Sequence, residues 1–120
     1  MTTSRQRLGR RGENLAHCYL RTAGWLILDR NWRCRHGEID IVGLDGDTVV
    51  ICEVRTRNGG RAGDPLESVT PGKVRRLRQL AGLWVRERGA EPCSIRIDVI
   101  GVRFDDPRRG PALTHIRGVE

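Results

Sequence analysis

Two apolar runs joined by a tight polar turn constrain this chain more than any other feature. Glu38-Ile39-Asp40-Ile41-Val42-Gly43-Leu44 and Thr48-Val49-Val50-Ile51-Cys52-Glu53-Val54-Arg55 flank Asp45-Gly46-Asp47. β-branched residues at this density, interrupted by Asp-Gly, specify a hairpin. The two-residue period predicts Glu38, Asp40 and Val42 on one face and Ile39 and Ile41 on the other. In the second run Val49, Ile51, Glu53 and Arg55 share a face. With Asp45-Gly46 as the turn, Asp40 lies opposite Ile51 on the side of Glu53, near enough as a diagonal pair to share a cation.

The remaining elements follow from periodicity and capping signals. Leu8, Gly12, Leu15, Ala16, Tyr19, Leu20 and Ala23 recur at helical spacing and predict a helix over 4–22 ending at Gly24. On its wheel Glu13 falls at the edge of the apolar stripe. Trp25 to Trp32 reads as a strand, and 58–66 as a mobile Gly-rich loop. Thr70-Pro71 supplies a cap and first residue for a second helix reaching Arg88, with Val74, Leu77, Ala81, Trp84 and Val85 inward. Lys73 lies on that inward side, whereas Arg75, Arg76 and Arg86 point away. Ser94 to Phe104 forms a fourth strand, Pro107 to Pro111 a turn-rich connector, and Leu113 to Ile116 a short edge strand. The fold class expected is α/β, helix-β-β-β-helix-β. With 120 residues, it is expected to be one domain over 1–120.

Charge is distributed unevenly. Of the 22 basic residues Lys73 is the sole lysine, and 15 acidic residues leave a net charge of +7. Residues 1–35 carry +6, residues 36–72 carry −4 and residues 73–120 carry +5. Basic flanks suit an anionic polymer. A carboxylate-rich middle would repel that polymer unless a cation lay between them, which points to metal-dependent phosphodiester chemistry. The bland alternative is solvated arginine faces around ordinary surface carboxylates. The apolar stretch Val49–Cys52 falls far short of the roughly 20 residues that span a bilayer, and no secretory signal follows the basic start. A cytoplasmic location without membrane association is expected. The four cysteines and three histidines lack zinc-ligand spacing, so zinc chemistry is disfavoured.

Asp40, a dozen residues, then Glu53-Val54-Arg55 has the form of the PD-(D/E)xK nuclease motif with arginine in the lysine position. Together with Gly12-Glu13, Gly37-Glu38-Ile39-Asp40, Thr70-Pro71-Gly72-Lys73 and Arg96-Ile97-Asp98-Val99, it resembles the YraN family of small predicted endonucleases. The likeness extends to about residue 117. It implies a restriction-endonuclease-like core, similar to that of archaeal Holliday junction resolvases, with a mixed sheet between helices. It further implies Mg²⁺ or Mn²⁺ held by Asp40, Glu53, the Val54 carbonyl and Glu13. Arg55 would occupy the position that orients water and neutralises the transition state. A guanidinium cannot readily accept a proton, so Lys73, inward and next to a flexible loop, is the candidate for the missing catalytic lysine. The expected nucleic-acid contacts are Arg7, Arg10, Arg11, Arg57, Arg75 and Arg76, with DNA favoured over RNA. Structural alternatives stand beside these roles: a same-strand Glu53–Arg55 ion pair, a surface charge at Glu13, structural hydrogen bonding by Glu38 and, for Lys73, a lysine that snorkels from the helix start to solvent. Asp98 is read as structural, and Trp25, Trp32 and Trp84 as core. The competing functional readings are a nucleic-acid-binding module whose nuclease site has decayed and an adaptor whose basic second helix binds an acidic partner protein.

Overall fold

The computed structural model describes residues 2–59, 67, 69–105 and 107–120. Helix α1 spans Ser4–Thr22, followed by strands β1 (Leu26–Cys34), β2 (Gly37–Asp45) and β3 (Thr48–Arg57). Helix α2 (Pro71–Arg88) then leads to β4 (Ser94–Arg103) and β5 (Ala112–Ile116). Both helices start where their caps dictate. Thr3 Oγ1 accepts from the Gln6 N–H while Gln6 Oε1 accepts from the Thr3 N–H. Thr70 Oγ1 accepts from the Lys73 N–H, Pro71 opens α2, and Gly89 closes it in the left-handed conformation at φ 62°.

The five strands lie in the order β1-β2-β3-β4-β5. All neighbouring pairs are antiparallel except β3 and β4, which run parallel because α2 crosses over between them. The sheet is therefore mixed, with a helix on each face. Ala16 and Leu20 of α1 pack with Trp25, Ile41, Val50 and Ile100 on one face. Leu77, Leu80 and Trp84 of α2 pack with Ile39, Val42 and Ile51 on the other. Trp25 and Trp84 are buried, and Trp32 packs against the α2-side core, in agreement with their reading as core residues.

Three expectations change. The first strand runs two residues past Trp32, with Trp25 packed ahead of it. The hairpin turn is Gly46-Asp47 rather than Asp45-Gly46, because Asp45 pairs with Thr48 and Gly46 takes a φ of 64° that glycine adopts without penalty. Ile51 consequently faces Val42, not Asp40. Finally, Ile39 and Ile41 do not share a face: the first packs with α2 and the second with α1. Strict alternation breaks between them. The Gly-rich loop assigned to 58–66 lies outside the described residues from 60 onward.

Asp98 ties the far edge of the sheet together, as a structural residue should. Fully buried, it accepts hydrogen bonds from Arg96 Nε and Nη2, the Gly118 N–H and His115 Nε2. A carboxylate only accepts, so His115 donates from Nε2, and its Nδ1 is hydrogen-bonded to the Tyr19 hydroxyl at 2.8 Å. Burial alone would raise Asp98, but these donors, Arg96 foremost, hold it below the usual carboxylate range.

Candidate active site

The break in alternation at β2 creates the site. The β2–β3 ladder ends at Ile41 paired with Cys52, so Asp40 is the first residue beyond it. Its Oδ2 accepts a hydrogen bond from the Val54 N–H at 2.8 Å, replacing the ladder partner that β2 no longer supplies. By strand parity the Val54 carbonyl points toward the same side, outside the ladder. One more step of the register would set Asp40 beside Glu53, a closer relation than the diagonal one expected.

Glu13 reaches this region from α1 because Gly12 lets the helix touch β3. A β-carbon on Gly12 would lie 1.9 Å from Thr56 Oγ1, so only glycine permits this approach. Oε1 of Glu13 is buried without a hydrogen-bond partner. From the other face, Lys73 in the first turn of α2 brings Nζ to 3.7 Å from Glu53 Oε1. Arg55 Nε lies at the same distance from that oxygen. Lys73 is thus inward, as its wheel position predicts, and Glu53 meets both candidate cations. The same-strand ion pair is also present.

Electrostatics separate these carboxylates from ordinary surface charge. Asp40 is pushed up to about 7, first by burial and then by the charge of Glu53, with Glu13 and Glu38 adding to it and the Val54 N–H opposing. Burial also raises Glu13, against the pull of Arg30. Glu38 is exposed and pairs with Arg33 at 3.1 Å. Among the described residues, no three carboxylate, imidazole or thiolate groups are gathered tightly enough to cage an ion unaided. An orphaned buried carboxylate oxygen near an aspartate raised by burial nevertheless fits a divalent cation, which would supply the ligand that Glu13 Oε1 lacks and favour ionised Asp40.

Two clefts meet at Gly9 and Glu13. One, of about 660 Å³, is lined by Gln6, Arg10, Arg30, Asn31 and Arg33; the other, of about 480 Å³, by Arg5, Val54, Arg55, Arg57 and Asn58. Arg10 and Arg57 of the expected contacts therefore flank Glu13, whereas Asp40 and Glu53 line neither cleft. Arg7 is turned to the Thr2 carbonyl and Ser4, and Arg11 stacks on Phe104 at 4.5 Å. Arg75 and Arg76 are exposed on α2 and line neither cleft. Sequence reasoning passed over Arg5, Arg30 and Arg33, which do line them. For Arg30 and Arg33 the signal lay in the antiparallel β1–β2 register, which pairs Arg33 with Glu38 and Arg30 with Ile41, and for Arg5 in the seating of α1. No described helix is long and apolar enough to cross a bilayer.

Comparison with known proteins agrees with the family resemblance. The profile of Uncharacterised protein family UPF0102 matches residues 12–102, which include the whole carboxylate cluster and Lys73. A UPF0102 protein of Mycolicibacterium vanbaalenii is 49% identical over 118 residues, covering 98% of this chain and 97% of its own. One from Streptomyces coelicolor is 51% identical over 119 residues, covering 97% and 90%. Another, from Mycobacterium tuberculosis, is 48% identical over 122 residues, covering 98% and 95%. With identity near one half along nearly its full length, the chain belongs to the UPF0102, or YraN, family.

Proposed function

We propose that this protein is a nucleic-acid-binding endonuclease that hydrolyses phosphodiester bonds with Mg²⁺ or Mn²⁺. The observation that carries the reading is Glu13, a carboxylate with an orphaned buried oxygen where two arginine-lined clefts meet, backed by Asp40, raised by burial and by neighbouring carboxylates, and by Glu53, which Lys73 and Arg55 approach. Asp40, Glu53, Glu13 and the Val54 carbonyl are the hard oxygen donors that would hold the cation. When bound, the ion supplies Lewis acidity toward the scissile phosphate and lowers the pKa of water. Arginines of both clefts grip flanking phosphates, leaving the carboxylates facing the bond between them. Beside Glu53, the Lys73 ammonium is the candidate proton donor, and the Arg55 guanidinium serves as a fixed counter-charge to the phosphoryl oxygens.

The test is cleavage of single-stranded, duplex and branched DNA and RNA with and without Mg²⁺ or Mn²⁺. Metal-dependent cleavage by the wild type, absent in Asp40→Asn, is the expected result. A second reading, a binding module with a decayed nuclease site, is favoured by one feature, the guanidinium at position 55 with its Nε buried and without a hydrogen bond. Under it the wild type is inert and Arg55→Lys alone creates activity.

A further inference from the structure

The basic groove continues past Glu13 and ends at an aromatic ring. The cleft holding Arg55 and Arg57 shares Arg5, Leu8 and Asn58 with a neighbouring cleft of about 460 Å³ that adds Arg7 and Arg11. That cleft in turn shares Arg11 and Asn58 with one of about 320 Å³, completed by Phe104, Pro107, Gly110 and Pro111. Polar and cationic residues dominate near Glu13, and apolar surface dominates at the far end.

Phe104 is the one aromatic side chain lining this groove. Trp25 and Trp84 are buried, and Tyr19 is engaged by His115. One side of Phe104 packs against the α1-side core, and its N–H donates to the Arg57 carbonyl at 2.9 Å, fixing it next to a groove arginine. The Arg11 guanidinium lies over the ring, 4.5 Å from its centre, on an exposed side chain. A ring held rigidly from behind, with a guanidinium as its loose cover, can exchange that cover for another planar group. Pro107 and Pro111 wall the recess with rigid apolar surface.

We propose that this recess binds an unpaired nucleobase, stacked on Phe104, so that the preferred substrate carries a single-stranded segment next to the carboxylate site. Arg11 then moves from the ring to a phosphate of the same nucleotide, and Arg5 and Arg7 follow the backbone toward Glu13. A paired base in a duplex presents its edge rather than its face and cannot enter. The proposal rests on the nucleic-acid reading above and assigns it a substrate class. Stacking alone tolerates DNA and RNA alike.

The experiment measures affinity of the full chain, without divalent metal, for fluorescein-labelled oligothymidylate, oligouridylate and a blunt DNA duplex. Phe104→Leu retains apolar packing but no ring, and Phe104→Trp retains a ring. Phe104→Leu is expected to lose on the order of tenfold in single-strand affinity, in line with one stacked base, with duplex affinity unchanged. Phe104→Trp is expected to keep single-strand affinity and to show quenching of the new indole on binding. If Phe104→Leu melts early, the Phe104→Trp quenching decides. Salt-sensitive wild-type binding that neither loses single-strand affinity in Phe104→Leu nor quenches in Phe104→Trp overturns the stacking site and leaves the phosphate-binding reading standing. Absence of wild-type binding to every oligonucleotide, both without metal and with Ca²⁺ added, overturns both.

Discussion

Asp40 and Asp98 are carboxylates of one sheet held in opposite protonation regimes, and their neighbours explain why. Asp98 has four donors, whereas Asp40 has one N–H and three carboxylates around it. A carboxyl whose folded value is raised from 3.8 to about 7 takes up a proton on folding between those values. Stability should then fall as pH rises through that window and level off above it. Asp40→Asn keeps an acceptor for the Val54 N–H and lacks this fall. Thermal melts should show the variant more stable than wild type by about 1–3 kcal/mol at pH 8, less than the full shift because the site is only half-buried, with the gap closing toward pH 4. A gap independent of pH would mean that Asp40 is ionised throughout. Lys73 yields a second residue-level prediction. If it moves the proton, Lys73→Arg should lower cleavage by about 10²–10³-fold with nucleic-acid affinity unchanged. A fully active Lys73→Arg would assign its cation a merely electrostatic role.

Among the elements, α1 depends on one missing side chain. Gly12→Ala would drive a methyl group into Thr56, forcing α1 away from β3 and carrying Glu13 with it. Denaturant unfolding should report a loss of about 1–3 kcal/mol, and Thr56→Ala in the same chain should recover much of it. An unaffected Gly12→Ala would mean that the helix does not sit this close. The helices were legible because caps and apolar stripes are local: Thr70, Pro71 and Leu77 mark α2 without tertiary information. The hairpin was legible except at its turn. Asp-Gly-Asp allows two turn centres, and the choice settles with Asp45 pairing to Thr48, which only the assembled ladder decides. Nor does the sequence pattern reveal that Ile39 and Ile41 pack on opposite faces, because apolar residues two apart read as one face and a local break leaves no compositional trace.

For the whole molecule, the carboxylates could be read from sequence and most of their basic surround could not. Asp40, Glu53 and Glu13 lie in short motifs, while Arg5, Arg30 and Arg33 reach the clefts that meet at Glu13 through the β1–β2 pairing and the seating of α1. The arginines on α2, Arg75 and Arg76, face elsewhere. Charge reversal should expose the difference. Arg30→Glu with Arg33→Glu should weaken nucleic-acid binding and flatten its dependence on salt, while Arg75→Glu with Arg76→Glu should change neither appreciably; fluorescence anisotropy across a salt series measures both. Equal losses from the two pairs would place the interface on both faces of the sheet. The central claim is that the negative charge gathered around Asp40 serves a divalent cation. Calorimetric titration of Mn²⁺ into the wild type at pH 7.5 tests it most directly. The account predicts saturable binding with net proton release, lost in Asp40→Asn and weakened in Glu13→Gln; equal binding by wild type and Asp40→Asn, or none by the wild type, would contradict it.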